Sequence, residues 1–291
     1  MRAHPTWPGL VLHDDNELAE RLGAPVSSRE RVHEWPLTVT EKVTLADGRT
    51  YAYKAQLPPS IETVFYAAVP GDLVPTHVAF PAPEPGQCAH VATEWIRELS
   101  LRARLADSAP DSPNAVLRIG ERACEQIASL SPELPVLHDF GGVGAWRTFA
   151  NRTLDALTRE IDAGRYPGLT IADAQLLRAW AETGPVLAAV DTDAVIQHGD
   201  LTAHEVFDTH DGLKVIDWQR PLRGPRGIDL ANLLHDLGIP PRDHVGEAIT
   251  QLSRFVLIEW AVAVSTEILP DVDPAIPASW VRGALRDMFS D

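Results

Sequence analysis

The sequence predicts an α+β chain in two unequal parts. A small β-rich part with one helix covers residues 1–94, and a larger, mostly helical part covers 95–291. Three observations predict it. Residues 32–56 alternate in places at period two around Asp47-Gly48, and an Asp-Gly flanked by β-formers marks a hairpin. Beyond Trp95 the apolar spacing becomes helical. Inside that helical part a second Asp-Gly, Asp211-Gly212, separates two short strand-like runs.

In chain order, the first hairpin is followed by SIETVFYAAV, where Ile61, Val64, Phe65 and Ala68 recur at helical spacing. Pro59 suits the start of that helix. Residues 76–81 and 88–93 read as two further strands. Residues 115–130, 146–163, 171–190 and 245–268 read as helices. Between the third and fourth, 206–208 pairs with 213–216 across Asp211-Gly212. The tracts Gly141-Gly142-Val143-Gly144 and 221–227 read as loops, since neither has dinucleotide-binding or Walker spacing.

Composition narrows the function classes. Net charge is −16, from 25 basic and 41 acidic side chains, and Lys42, Lys54 and Lys214 are the only lysines. No Lys/Arg run offers a groove for nucleic acid, so a nucleic-acid partner is not expected. The acidity serves solubility, or attracts a cationic small-molecule substrate. Cys88 and Cys124 make no disulfide framework, which fits a reducing, cytoplasmic compartment. Pro5, Pro8 and Asp14 break the first residues before a secretory apolar run can form. The late apolar stretch 255–269 is interrupted by Glu259 and Glu267, and reads as too short to span a membrane. A monomer or homodimer without membrane contact is expected.

The chemistry gathers at His198-Gly199-Asp200, at Glu205 five residues on, and at Asp217 across the second hairpin. Phosphoryl transfer needs a carboxylate to orient the attacking hydroxyl, metal ligands to neutralise phosphate charge, and a lysine on the phosphates. A tight hairpin brings Asp217 back toward Glu205. Each candidate has a plainer reading. His198 braces the loop rather than acting as a base, and His204 faces solvent. Lys54 between Tyr53 and Ala55 is either a snorkelling surface lysine or the phosphate lysine. Glu62 is a helix-face charge or its partner. Asp229 suits a helix start in either case.

At these residues the chain resembles the aminoglycoside phosphotransferase and choline kinase superfamily, the small-molecule branch of the two-lobed protein-kinase-like fold. HGDLTAHEVF is similar to its catalytic loop, VIDW at 215–218 to its metal-binding strand end, and RGIDLANLL at 226–234 to the following helix. The resemblance implies an active kinase with ATP or GTP as co-substrate and Mg²⁺ as cofactor. It implies Asp200 as catalytic base, Glu205 and Asp217 as metal ligands, and His198 and Asp229 as supports of the loop. YAYKA implies Lys54 as the phosphate lysine, with Glu62 pairing to it. Thr93, Glu94 and Trp95 fall where backbone groups would meet the purine. Two departures stand out: Glu205 replaces the usual Asn, and the turn at Glu34-Trp35-Pro36-Leu37 has no glycine.

Only eleven residues separate Asp217 from Asp229, with no Ala-Pro-Glu after Asp217. Protein kinases use a longer segment there to dock peptides, so a small-molecule acceptor is expected, against Trp218, Asp236 and Glu259. Amine-bearing sugars or other antibiotics are the leading acceptors. Two rival functions remain at this stage. One is a pseudokinase that binds nucleotide without turnover. The other is an HD-type metal-dependent phosphohydrolase built on His235-Asp236 with His198 and His244.

Overall fold

The computed structural model of the chain describes residues 1–7, 9–81, 83–84, 86–106 and 113–289. The elements up to residue 106 are β1 (Arg2–Ala3), β2 (Val11–Leu12), α1 (Asp15–Leu22), β3 (Val26–Trp35), β4 (Thr38–Leu45), β5 (Thr50–Gln56), α2 (Glu62–Ala68), β6 (His77–Ala79), β7 (Ala89–Glu94) and α3 (Leu101–Ala106). Next come α4 (Pro113–Ala128), β8 (His138–Asp139), α5 (Val143–Asp162), α6 (Ile171–Ala181), α7 (Gly184–Val190), β9 (Ala194–Gln197), β10 (Val206–Thr209) and β11 (Gly212–Val215). The chain continues through β12 (Leu222–Pro225), α8 (Ile228–Asp236), α9 (Arg242–Val245), α10 (Glu247–Ala263), a π-helical turn (Val264–Ile268) and α11 (Ala275–Phe289). The class is α+β, β-rich in the N-terminal part and helical in the C-terminal part.

The chain falls into two compact units, Met1–Ala109 with Glu205–Arg220, and Pro110–His204 with Pro221–Asp291. The first is built on an antiparallel sheet in the order β3-β4-β5-β7-β6. Alternation in β4 and β5 buries Val39, Val43, Tyr53 and Ala55 against Leu12, Leu18 and Phe80. Two hairpins build this sheet where the sequence showed one: β3 turns into β4 at Pro36-Leu37, and β4 into β5 at Asp47-Gly48. Helix α1, absent from the sequence reading, starts at a capping box in which Asp14 and Glu17 satisfy each other's end of the turn.

The division by contacts departs from the split after residue 94, because 205–220 belongs with the strands. In that unit Val215 donates its N–H to Leu73 O at 2.7 Å, and Lys214 Nζ reaches Asp72 O at 3.1 Å. Phe207 bridges to Ser100.

The second unit packs α5, α6, α7, α10 and α11 around Trp146, Phe149, Trp180 and Phe255. The helix expected over 171–190 is two helices. It breaks at Glu182-Thr183 and restarts at Gly184-Pro185, since proline supplies no donor for an uninterrupted ladder. The expectation for the late apolar stretch is also corrected. Glu247–Ile268 is long and apolar enough to cross a membrane by length and composition, and 72% of its apolar window is buried inside the protein. Glu259 does not interrupt it, because this carboxylate is itself inside, 5% exposed, facing Arg152 at 3.2 Å and His138 at 3.3 Å.

Candidate active site

In the strand-rich unit Lys54 lies on β5 between Thr40 of β4 and Val91 of β7, on the face opposite buried Tyr53 and Ala55. Its ammonium is 2.9 Å from Glu62 Oε2 and 2.5 Å from Asp217 Oδ1. Glu62 opens α2, where an acidic side chain suits the helix end, and it is 2% exposed. Burial alone would lower the Lys54 pKa. The charges of Asp217 and then Glu62 outweigh it, holding the ammonium above its usual range. Burial pushes the Glu62 carboxyl up, and the Lys54 charge opposes that.

Asp217 is the one non-glycine with a positive φ among the described residues, at 70°. An L side chain held there is strained, and such residues cluster at functional sites. Helix α2 over-determines this elbow. Ile61 N donates to Gln219 O at 3.2 Å, and the Phe65 ring stacks on Trp218 at 4.3 Å. Tyr66 is buried beside Glu62 and the Asp217 backbone. Burial first, then the two carboxylates, raise its pKa well above the usual value, which keeps the hydroxyl protonated. The sequence reading missed Tyr66, although its spacing of four from Glu62 puts both on one helix face.

Ile216 N donates to Glu205 O at 3.1 Å, so the β10–β11 hairpin ends with Glu205 directly opposite Ile216 and next to Asp217. Both residues offer hard carboxylate oxygens, and magnesium is bound through one or two carboxylates together with phosphates and water. The donor set fits that ion. Among the described residues no group of three or more His, Cys, Asp or Glu side chains is gathered for a metal.

Thr93 and Glu94 end β7. The N–H of Glu94 donates to Thr76 O at 2.8 Å and that of Trp95 to Thr50 O at 3.0 Å. These two amides are taken up by the neighbouring strands. Lys42 Nζ lies 4.7 Å from the centre of the Trp95 ring, a cation–π contact.

In the helical unit, the loop after β9 is held from below by α8, which begins at left-handed Gly227, φ 101°. Asp229 accepts from His198 N at 2.6 Å and Gly199 N at 3.0 Å, and its own N–H donates to Gln197 Oε1 at 3.0 Å. It is 1% exposed, and burial raises its pKa against the pull of His198 and the two amides. Asp200 is exposed at the loop apex, next to buried Leu201. Arg254, 7% exposed, has its pKa lowered by burial, against the charges of Asp287 and Asp200.

Two positions of the acceptor wall read from sequence, Trp218 and Glu259, are buried instead. Trp218 is fully buried, stacked on Phe65, with its indole N–H on Val215 O at 3.0 Å. Glu259 is enclosed with Arg152 and His138, so it is an internal charge partner rather than an open acidic surface. The Asp236 carboxylate accepts from Ala203 N at 2.9 Å.

The sequence model of the phosphotransferase enzyme family matches residues 49–262, well over half of the chain. No curated protein matches. Among solved structures, a thermostable mutant of aminoglycoside phosphotransferase APH(4)-Ia aligns over 96% of this chain and 100% of its own, at 15% identity and a TM-score of 0.64. A choline/ethanolamine kinase family protein from Mesorhizobium loti aligns over 91% and 89%, at 14% identity and 0.62. The streptomycin–ATP–APH(2″)-IIa ternary complex aligns over 96% and 99%, at 11% identity and 0.58. At these identities the likeness establishes the kinase-like fold.

Proposed function

Because the chain belongs to the phosphotransferase enzyme family, we propose that it transfers the γ-phosphoryl group of ATP to a hydroxyl of a small molecule in the cytoplasm. One observation carries this reading above the others: a half-buried ammonium, Lys54, held between Glu62 and the strained Asp217. That is the lysine–carboxylate arrangement on which phosphoryl transfer depends. ATP is preferred over GTP because a fold relative was solved with ATP and streptomycin.

Lys54 binds the nucleotide phosphates, and Glu62 keeps its stem aimed. Asp217 and Glu205 would hold magnesium, which neutralises developing phosphate charge when bound. Asp200 accepts a hydrogen bond from the acceptor hydroxyl, orients it for in-line attack and takes its proton as the new O–P bond forms. The bond from the γ-phosphorus to the bridging oxygen breaks, and ADP leaves. His198 and Asp229 keep the loop in shape. For the acceptor, the aminoglycoside phosphotransferases among the fold relatives and the −16 charge support a cationic, amine-bearing compound such as an aminoglycoside, with antibiotic inactivation as the consequence. The two departures, Glu205 and the glycine-free turn at Pro36-Leu37, leave this donor set intact, and so support an active enzyme over a pseudokinase.

The test is a panel of aminoglycosides, macrolides, choline and simple sugars, scored for ADP release and phosphorylated product by mass spectrometry. Asp200→Ala is expected to lose about 10²–10⁴-fold in kcat with ATP binding retained by calorimetry. Undiminished turnover in that variant would refute the assignment.

A further inference from the structure

Building on the reading of Asp200 as proton acceptor, we infer that Asp236 is a positioning residue that fixes the downstream half of the Asp200 loop, as Asp229 fixes the upstream half. The two carboxylates stand seven residues apart on α8. At 3.6 residues per turn that spacing puts them on one face, two turns apart. Asp229 holds the amides of His198 and Gly199, and Asp236 Oδ2 holds the amide of Ala203 at 2.9 Å. Between these anchors the backbone turns at left-handed Gly199, φ 87°, while Leu201 and Ala203 are fully buried. The chain is therefore tied to one helix on both sides of Asp200, which stays exposed.

Ala203 is buried, and a buried N–H without an acceptor is strongly disfavoured. Without the Asp236 oxygen the loop must shift to find another partner for that amide. A displacement of about 1 Å at a catalytic group can cost ~10²-fold in rate. Asp236 needs no contact with substrate to have this effect. The same hydrogen bond gives the acidic residue after His235 a place in the fold: one of its oxygens is taken by the loop.

The test compares Asp236→Asn, which keeps one carbonyl oxygen for the amide, with Asp236→Ala, which keeps none, in the full chain. Asp236→Ala is expected to lower kcat about 10–100-fold while KM for ATP stays within ~2-fold. Asp236→Asn is expected to restore most of it. Hydrogen exchange at the Ala203 amide should accelerate in the Ala variant and not in the Asn variant, at matched melting temperature. If the Ala variant does not fold, Asp236→Glu, which moves the acceptor by one methylene, should show the same kcat-selective loss and faster exchange. Unchanged kcat and exchange in the Ala variant would overturn the inference, as would an Asn variant no better than Ala. If the wild type binds ATP yet phosphorylates nothing in the panel, the phosphotransferase reading fails instead. Exchange at Ala203 then decides the clamp by itself.

Discussion

Lys54 has two carboxylates within 3 Å, and they play unequal parts. Glu62 is nearly sealed from water, whereas the Asp217 side chain is 42% exposed. Replacing Lys54 by Met keeps the stem and deletes the charge. One lost contact of this kind is worth about 3–4 kcal/mol of transition-state stabilisation, so kcat/KM for ATP should fall ~10²–10³-fold. Stability should change as well, because a buried carboxylate without its partner is costly. With its counter-charge gone, the folded-state pKa of Glu62 rises further above its unfolded value. The Lys54→Met protein should then gain stability relative to wild type as pH falls, which paired melting curves would measure. Asp217 and Lys54 were legible in sequence because chemistry restricts each to one residue type at one place in a strand or turn. Trp218 was misread because a tryptophan beside a catalytic acid looks the same in sequence whether it lines a pocket or fills a core.

Among the elements, β12 carries a constraint that spacing cannot reveal. A Cβ on Gly224 would lie 2.7 Å from Cε2 and 2.9 Å from Cζ of Phe140. That ring is fully buried between Trp146 and Phe149 and has nowhere to go. Gly224→Ala should cost about 1–3 kcal/mol by overpacking, readable as a lower denaturant midpoint with an unchanged slope. The elements that were legible share one trait, local chemistry strong enough to speak alone. Asp47-Gly48 and Asp211-Gly212 are turns at any level of description, and α5 and α10 are long and periodic. The break between α6 and α7 was also written locally, at Gly184-Pro185, but continuous apolar spacing on both sides hid it. Helix α1 was missed although Asp14 and Glu17 spell its start, because two prolines upstream suggested irregular chain. Strands β8 and β12 were out of reach, since two- and four-residue strands exist only through their partners.

For the molecule as a whole, acid should be the weak side. His13 and His90 are buried with ring centres 4.4 Å apart. His13 is bound to the Tyr53 hydroxyl at 2.9 Å and His90 to Val11 O at 2.6 Å. Burial, then the charge of His90, lowers the His13 pKa to about 4, against a small opposing pull from Glu17, and burial lowers that of His90. A folded-state value below the unfolded one, ~6.5, means these rings contribute stability above pH 6.5. That contribution is lost as pH falls toward 4. The raised carboxyls of Asp229 and Glu62 work in the opposite sense. A loss on the order of 2 kcal/mol between pH 7 and 4.5 is expected, smaller in His13→Gln, by chemical denaturation at each pH. At this scale the overall class was legible from the change in periodicity after Trp95. The membership of 205–220 was not, since sequence order says nothing about which surface a hairpin joins. That membership has a consequence for biosynthesis. At ribosomal speeds of about 5–20 residues per second, the segment that meets Leu73 and Ser100 is made on the order of ten seconds after they are. The first-made unit must wait, incomplete, for a piece of chain translated after most of the other unit, and a nascent protein stalled before Glu205 is a natural client for chaperones.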